Sequence, residues 1–354
     1  MEIENKSILF IAYDCHNKAV WNAFKLHIEL IHSLGYNLSF IVDEKYKEIV
    51  ELDYPTAQIH TYSNFFYLIF QLNKLPEKKI YSPATFPVLA SFLSKVLNSK
   101  ELYYWVQGII PEESFLRHKS KIRFKILSGI EYISLALSSK QIFVSQEMQN
   151  YLEKKYNTQY KNSIIVPCIS EFKDDNSKKE KDSFVYIGGM SAWQRIDQML
   201  EIFSYILSIK PNAKLYIATL EKKLARDYIE QYIELKYHEN IEVLSINNRK
   251  DIPYFLSTKE YGFLIREDNI VNHVASPIKL AEYLSCGVNV IISTSIKSYA
   301  SYIEDNHAGI NLNKQRDIIQ KLKHFIPNRI SAIEVYEHFF SKNQHSLNYQ
   351  TLLK

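Results

Sequence analysis

The fold that this sequence predicts is α/β, with two Rossmann-like, doubly wound domains that face a central cleft. Three observations support the prediction. Short apolar, β-rich runs alternate with longer segments of helical periodicity, which is typical of a parallel sheet with helices on both faces. The length of 354 residues suits two domains of ~150 residues each. An almost wholly polar segment, residues 170–182, separates the two halves.

The predicted elements follow the same order in each half. In the first half we expect strands at residues 7–12, 38–42, 58–62, 101–106 and 141–144, with helices that include 22–34 and 122–137. In the second half we expect strands at 184–187, 214–218, 241–244, 261–265 and 288–292, with helices at 196–209, 222–235 and 278–285. The domains are therefore placed at 1–169 and 183–328, with a linker at 170–182 and a helical tail at 329–354.

Composition excludes several classes of protein. The 46% of hydrophobic and 23% of charged residues are those of a soluble globular chain. A net charge of +4 is too small to indicate nucleic-acid binding. The three cysteines are far apart and odd in number, so they predict neither a disulfide framework nor a zinc site.

The cellular location of the protein is predicted from the N-terminus and from the most apolar run. Residues 1–4, Met-Glu-Ile-Glu, are acidic where a signal peptide would be basic. The most apolar run, residues 65–70, is far shorter than the ~20 residues of a membrane-spanning helix. We therefore expect a cytoplasmic protein. No metal-ligand spacing, P-loop or G-x-G-x-x-G fingerprint is present, which counts against a metalloenzyme and against a dinucleotide-dependent oxidoreductase.

Residues 261–293 carry the most information. A strand is followed by a polar loop that begins at Arg266, and Ser276-Pro277 then has the form of an N-cap and first helical residue. The open N-terminus of a helix favours an anion. Lys279 stands in the first turn, where acidic residues are normally preferred, and a bound anion would explain it. The alternative is an ordinary cap with a surface pair between Lys279 and Glu282.

Two segments carry a resemblance to a known family. The pattern S-P-x-K-x-x-E-Y-L-x-x-G-x-x-V-I, residues 276–291, resembles the donor-site motif of bacterial GT-B glycosyltransferases of family 4 (group 1). Residues 184–194, FVYIGGMSAWQ, are similar to the strand and glycine loop that open the donor domain of that family. Residues 141–152 give a weaker match to the end of the acceptor domain.

The resemblance implies a nucleotide-sugar donor bound mainly to the second domain. Its diphosphate would lie over the helix that begins at Ser276, Pro277 and Ile278, and Glu282 would bind ribose hydroxyls. The catalytic candidates are Arg266, Lys279 and Glu267. The remaining donor-binding candidates are Gly188, Gly189, Gln194 and Arg195. The adjacent glycines would let the backbone approach phosphate, although a tight turn alone would also explain one of them.

The sequence departs from the family pattern at three positions. The first Glu of the usual Glu-x7-Glu pair is replaced by Val274, and Glu267 is the candidate substitute. The positions of the usual Arg and Lys that clamp the diphosphate correspond to Gly189 and Gln194. The cations left for this task are Arg195, Arg266 and Lys279.

Candidates on the acceptor side come from the first domain. They lie in loops that follow predicted strands, and they are His16, Asn17, Gln107, Gly108 and Glu112. Glu112 or Glu113 could contact acceptor hydroxyls or act as a base. Both could equally be first-turn acids after Pro111 with a purely structural role. A lone loop histidine such as His16 is usually only solvated.

A basic, amphipathic segment suggests contact with an anionic membrane. Its cations are Arg117, Lys119, Lys121, Arg123 and Lys125, and an apolar stripe at 122, 126, 130, 133 and 137 accompanies them. The alternative is a helix packed on the core with a solvated basic face. The resemblance favours the membrane because such transferases often act on lipid-linked acceptors.

The predicted function is transfer of a sugar from a nucleotide sugar to a saccharide acceptor, which we expect to be lipid-linked. Neither a cofactor nor a metal is expected.

 The family type implies retention of configuration at the anomeric carbon, and it does not require a nucleophilic side chain. The setting that it implies is bacterial lipopolysaccharide, capsule or other surface polysaccharide synthesis, at the inner face of the plasma membrane. Two rivals stay open: a sugar-nucleotide epimerase or hydrolase on the same fold, and a non-catalytic nucleotide-sugar-binding subunit.

Overall fold

A computed structural model describes residues 6–353, apart from the side chain of Ala19. The acidic residues 1–4 used above lie outside this range. The chain divides into two compact units. Unit 1 comprises residues 1–169 and 342–354, and unit 2 comprises residues 170–341.

Unit 1 contains a seven-stranded sheet in its described part. The strands are β1 (Ser7–Ala12), β2 (Asn37–Asp43), β3 (Gln58–Tyr62), β4 (Lys79–Ser82), β5 (Glu101–Val106), β6 (Lys140–Phe143) and β7 (Ser163–Ile165). The helices are α1 (Lys18–Ser33), α2 (Lys47–Asp53), α3 (Phe65–Lys74), α4 (Thr85–Ala90), α5 (Phe92–Asn98), α6 (Ile110–His118), α7 (Lys121–Leu137), α8 (Gln146–Tyr156) and α17 (Lys342–Leu352). All neighbouring strands are parallel, in the order β3-β2-β1-β4-β5-β6-β7.

Unit 2 repeats this arrangement with six strands among its described residues. They are β8 (Glu180–Ile187), β9 (Lys214–Ala218), β10 (Ile241–Leu244), β11 (Lys259–Leu264), β12 (Asn289–Ser293) and β13 (Gly309–Leu312). The helices are α9 (Ile196–Ile209), α10 (Lys222–Tyr232), α11 (Ile252–Ser257), α12 (Ile270–Val274), α13 (Ile278–Ser285), α14 (Ala300–Asp305), α15 (Ile318–His324) and α16 (Arg329–Phe340). The parallel order is β10-β9-β8-β11-β12-β13.

Both sheets are doubly wound, which confirms the predicted fold class for each unit. In unit 2 the chain moves outward from β8 to β10 and then crosses back to β11 on the other side of β8. Apolar side chains on the two faces of this sheet form two separate buried clusters. In such sheets ligands bind beyond the carboxyl ends of the strands, at the point where the strand order reverses. That point lies between β8 and β11.

The segment predicted as a linker belongs to unit 2. Phe172 is buried in the core of that unit, and Asp174 pairs with Arg329 at 3.3 Å. Glu180 is already the first residue of β8. Residues 170–182 are polar in composition, and the few apolar and charged groups with specific partners hold part of the segment against unit 2.

The predicted tail is divided between the units. Helix α16 packs against α13 in unit 2, whereas α17 packs against α1 and β7 in unit 1. Tyr349 of α17 is fully buried, and its hydroxyl lies 2.8 Å from the hydroxyl of Tyr81 on β4. The tail is therefore a structural part of both units.

Candidate functional site

The loop after β8 brings backbone and side chains close together. Gly188 has a φ of +139°, a conformation that favours glycine. A Cβ atom at this position would lie 2.3 Å from Nζ of Lys279. The lysine therefore reaches the loop only because residue 188 has no side chain. This close approach, rather than a turn alone, accounts for Gly188.

Two cations meet on one amide oxygen beside this glycine. Nζ of Lys279 donates to Oε1 of Gln194 at 2.9 Å and to the Tyr186 hydroxyl at 3.0 Å. Nη1 of Arg266 donates to the same oxygen of Gln194 at 2.5 Å. Within residues 6–353, neither cation has a carboxylate within the 4.0 Å of an ion pair. Two neighbouring positive charges without a counter-ion favour an anionic ligand.

The electrostatics of the pair point the same way. Burial lowers the pKa of Lys279 well below its ordinary value, and the charge of Arg266 lowers it further. Burial also lowers the pKa of Arg266. An anion bound between them would offset both the repulsion and the loss of hydration.

Helix α13 spans the predicted residues 278–285, but its N-cap is not the predicted one. Its N-cap is Pro277, without a side-chain capping bond, so the prediction of Ser276 as N-cap was wrong. The Ser276 hydroxyl instead accepts a hydrogen bond from Tyr299 at 3.0 Å. Pro277 has no side-chain acceptor, so the N-cap residue itself does not cap the first N–H groups of α13, which starts at Ile278. They add to the positive potential near Lys279.

Glu282 lies one turn further along α13 and is buried. Burial raises the pKa of its carboxyl group, whereas Arg249 and Lys279 lower it. Nη2 of Arg249 donates to Oε1 of Glu282 at 3.2 Å, and the guanidinium group also lies over the ring of Phe172 at 4.8 Å. Sequence reasoning missed Arg249 because it lies in a short turn 33 positions before Glu282.

Two cavities open at the carboxyl ends of the strands of unit 2. One, of about 390 Å³, is lined by Gly188, Gly189, Thr219 and Ile252 among others. The other, of about 280 Å³, is lined by Arg195, Arg266, Glu267 and neighbouring polar residues. The two glycines and Arg266 thus border space that a ligand could fill.

The remaining donor-side candidates have more local partners. Arg195 pairs with Asp197 at 2.7 Å, which raises its pKa, so part of its charge is already balanced. Gly189 lies against Glu221, whose Oε2 would be 2.9 Å from a Cβ there. Glu267 is exposed and accepts a hydrogen bond from Asn269 at 3.2 Å. Glu267 therefore does not join the cluster of Lys279, Arg266 and Gln194.

In unit 1, two of the five acceptor-side candidates line a cavity and three do not. A cavity of about 380 Å³ is lined by Gln107, Gly108 and Glu113, together with Tyr13, Asp14 and Tyr104 among others. The carboxylate of Glu113 lies directly over Gly108, and burial raises its pKa. The sequence patterns do not separate Glu113 from its neighbour because both follow Pro111.

Three other acceptor-side candidates do not line this cavity. Glu112 is buried, pairs with Lys155 at 2.8 Å and accepts a hydrogen bond from Tyr151. It therefore has the structural role that was the alternative. His16 stacks on the ring of Tyr46 at 4.7 Å. Asn17 belongs to the turn that precedes α1.

Helix α7, which carries most of the basic segment, turns part of its apolar stripe toward solvent. Ile122 is 76% exposed and Ile126 is 59% exposed, whereas Glu131 and Ser134 are buried. This is the reverse of a helix packed on a core through its apolar face. The cations Arg117, Lys119, Lys121, Arg123 and Lys125 are all exposed. No helix within the described residues is long and apolar enough to cross a bilayer, and no cluster there of three or more His, Cys, Asp or Glu could hold a metal ion.

Comparison with known proteins supports the interpretation of unit 2. Residues 169–340 match the family model of glycosyl transferases group 1. No curated protein matches the chain.

Solved structures extend the comparison to the whole chain. A glycosyltransferase from Rickettsia africae is 13% identical, with a TM-score of 0.71 over 99% of this chain and 98% of that chain. Anabaena Alr3699/HepE in complex with UDP and glucose is 12% identical, with a TM-score of 0.70 over 98% and 99%. Sucrose-phosphate synthase from Thermosynechococcus elongatus is 11% identical, with a TM-score of 0.70 over 98% of each chain.

At such low identity these structures establish the fold. The family model covers the part of the chain that contains Gly188, Gln194, Arg266 and Lys279. Nearly all of unit 2 is thus similar to glycosyl transferases group 1, and the two doubly wound units give the chain the GT-B fold of these solved structures.

Proposed function

We propose that the protein transfers a hexosyl group from a nucleotide sugar to a saccharide acceptor. The observation that carries the proposal is the pair of cations, Lys279 and Arg266, held on the oxygen of Gln194 without a carboxylate partner in the described chain. A diphosphate has the charge and the size to bind both. Because Gly188 has no side chain, a ligand beside Lys279 can also approach the backbone of this residue.

The cations would act mainly on the leaving group. When the bond to the anomeric carbon breaks, negative charge grows on the diphosphate. Arg266 and Lys279 would stabilise that charge, and their positions are set before the reaction by Gln194 and Tyr186. This chemistry needs neither a metal nor a cofactor. Retention at the anomeric carbon is the stereochemistry that the family resemblance implies.

Glu282 would bind the ribose hydroxyls of the donor. Its carboxylate is buried and is held by Arg249, and carboxylates accept strong hydrogen bonds from hydroxyl groups. The neighbouring cavity beside Gly188 and Thr219 offers space for the base. Because the similar Anabaena protein is described in complex with UDP-glucose, UDP-sugars are the first donors to test.

The proposed acceptor is a saccharide, bound in the unit 1 cavity near Gln107, Gly108 and Glu113. We further propose that it is lipid-linked and that the product belongs to a bacterial surface polysaccharide or lipopolysaccharide. The exposed isoleucines and cations of α7 support this because they suit the surface of an anionic membrane. This attachment would weaken as salt screens the charges over ~8–10 Å.

The test is incubation with a panel of nucleotide sugars, with released nucleoside diphosphate as the readout, with and without membrane extract. We expect release that depends on the extract. Release of nucleotide without any acceptor would instead indicate the hydrolase or epimerase rival. Binding of the donor without release under either condition would indicate a non-catalytic subunit.

Donor binding provides a second test. We expect Lys279→Ala and Glu282→Ala each to weaken the binding of the donor by about 1.5–3 kcal/mol, because each removes a charge-assisted contact. Calorimetry with UDP measures this. Lys236→Ala, which removes an exposed lysine of unit 2, is the matched control and should bind as the wild type does. Unchanged affinity in both site variants would remove the cluster from the donor site.

A further inference from the structure

Helices α3 and α5 of unit 1 expose large apolar side chains. On α3, Phe66 is 81% exposed and Phe70 is 48% exposed. On α5, Val96 is 60% exposed and Leu97 is 69% exposed. The two helices pack against each other, so we treat these side chains as one feature, the α3–α5 surface, which also includes Phe65, Tyr67, Phe92 and Leu93. Apolar patches of this kind on soluble proteins mark interaction sites.

The orientation of α5 shows that its exposed face is not an accident of composition. Ser94 is fully buried, and Nζ of Lys95 donates to the carbonyl oxygen of Leu137 at 2.5 Å. The polar residues of α5 thus point toward the protein while its apolar residues point outward. A helix facing water has the opposite arrangement. Helix α5 is therefore arranged for contact with an apolar partner.

On α7, Ile122 and Ile126 are likewise exposed, and Glu131 is buried. Helix α4 contacts α3, α5 and α7. Its residue Phe86 is 45% exposed. The apolar stripe of α7 and the α3–α5 surface are therefore linked through one intervening helix.

Within the segment that forms the α3–α5 surface, the exposed charged side chains are cationic. Between residues 64 and 99 the only acidic residue is Glu77, which is 3% exposed. Lys74 and Lys78 are exposed, and Nζ of Lys74 lies 4.1 Å from the ring centroid of Phe70. An apolar centre with a cationic rim complements an anionic lipid surface. A second copy of the same surface would instead place like charges opposite each other.

We propose that the α3–α5 surface inserts into the interfacial region of an anionic lipid bilayer, as an attachment site separate from the cations of α7. The aromatic rings and the aliphatic side chains of α5 enter the boundary between headgroups and acyl chains, and Lys74 and Lys78 contact anionic headgroups. This inference extends the membrane contact in the proposed function, and it does not depend on sugar transfer. Two attachment sites would together bind a bilayer more firmly than either site alone.

The experiment is flotation of the full-length protein with vesicles of phosphatidylcholine and phosphatidylglycerol. We expect the double variant Phe66→Ser/Leu97→Ser to lower the partition coefficient about tenfold or more. Leu52→Ser is the matched control because Leu52 on α2 is 84% exposed, and it should partition as the wild type does. Circular dichroism checks that each variant is folded.

Salt separates the two attachment sites. In about 1 M salt, where screening acts over ~3 Å, we expect the wild type to remain partly bound and Phe66→Ser/Leu97→Ser to be released. The variant Lys121→Ala/Lys125→Ala should lose the salt-sensitive part and keep the rest. If it loses all binding while Phe66→Ser/Leu97→Ser loses none, the inference is overturned and the contact through α7 stands.

Two further outcomes overturn the inference. Light scattering that shows a dimer, dissociated by Phe66→Ser/Leu97→Ser, would assign the surface to a second copy of the chain. Absence of wild-type binding to the vesicles would remove both membrane attachments. The nucleotide-release assay would still report on transfer in that case, so the two failures are distinguishable.

Discussion

At the scale of single residues, Gln194 decides how the cations of the site are arranged. It stands where the resemblance leads one to expect a lysine. Its carbonyl oxygen accepts hydrogen bonds from both Arg266 and Lys279, so the two cations beside this residue come from the loop after β11 and from α13. We propose that these cations take the place of the lysine that the family pattern has here.

Arg266 tests whether the site performs chemistry or only binds. Because charge on the leaving diphosphate grows toward the transition state, we expect Arg266→Ala to lower turnover by on the order of a hundredfold, more than it weakens donor binding. Arg266→Lys keeps the charge but loses the planar fork, so it should retain part of the activity. Turnover and the calorimetric Kd, measured on the same preparations, provide the comparison. Equal losses in both would make Arg266 a binding residue only.

Lys279 predicts a dependence of binding on pH. Burial and the charge of Arg266 lower the pKa of Lys279, so it loses its proton, and its attraction for a diphosphate, at a lower pH than an ordinary lysine does. UDP affinity should therefore fall as pH rises, and the fall should begin at a lower pH than an ordinary lysine would give. Lys279→Arg stays charged as the pH rises and should show no such fall. An identical decline in the wild type and in Lys279→Arg would assign it to another group.

The sequence predicts some residues of this site and misses others. Lys279, Arg266 and Gln194 come from patterns that place them at the ends of strands or helices, and the structure brings them together. Arg249 and Glu113 could not be separated from other polar loop residues, because their importance depends on where a side chain points. Ser276 fails as an N-cap because the helix starts after Pro277, and such boundaries vary by one or two residues in any sequence pattern.

At the scale of elements, the alternation of strands and helices was enough to predict both sheets. The strands that the pattern missed are β4, β7 and β13, which have only four, three and four residues. A run this short carries too few positions to show a periodicity of two. Strands β7 and β13 each form one edge of their sheet, whereas β4 lies between β1 and β5.

Helices α5 and α7 show where periodicity reaches its limit. An apolar stripe predicts a buried face on the assumption that water surrounds the protein. On α7, Ile122 and Ile126 of the predicted stripe face outward, whereas Glu131 and Ser134 face inward. On α5, Val96 and Leu97 face outward and Ser94 faces inward. Only the structure shows which face each helix turns toward the sheet.

At the scale of the whole molecule, α17 makes unit 1 discontinuous in sequence. Tyr349 of α17 is fully buried among residues of the N-terminal part, near Tyr81 and His27. Burial lowers the pKa of His27 to about 3, so this group stays neutral at ordinary pH and the cluster packs without charge. The stability of unit 1 therefore depends on a residue more than 260 positions away from Tyr81.

We expect Tyr349→Ala to lower the free energy of unfolding of unit 1 by about 3–5 kcal/mol, because it leaves a cavity and an unpartnered polar group. Tyr254→Ala, at a tyrosine that is 65% exposed, should change it by no more than ~0.5 kcal/mol. Calorimetric unfolding measures both. A Tyr349→Ala protein as stable as the wild type would show that α17 is not needed for the fold of unit 1.

The discontinuity of unit 1 also sets an order of events during synthesis. The ribosome makes every residue of unit 2 before it makes α17. Unit 2 can therefore complete its fold on a nascent chain. At that stage unit 1 still lacks α17, and the place of Tyr349 beside Tyr81 is unfilled. The half of the protein that is made first is thus the half that is finished last.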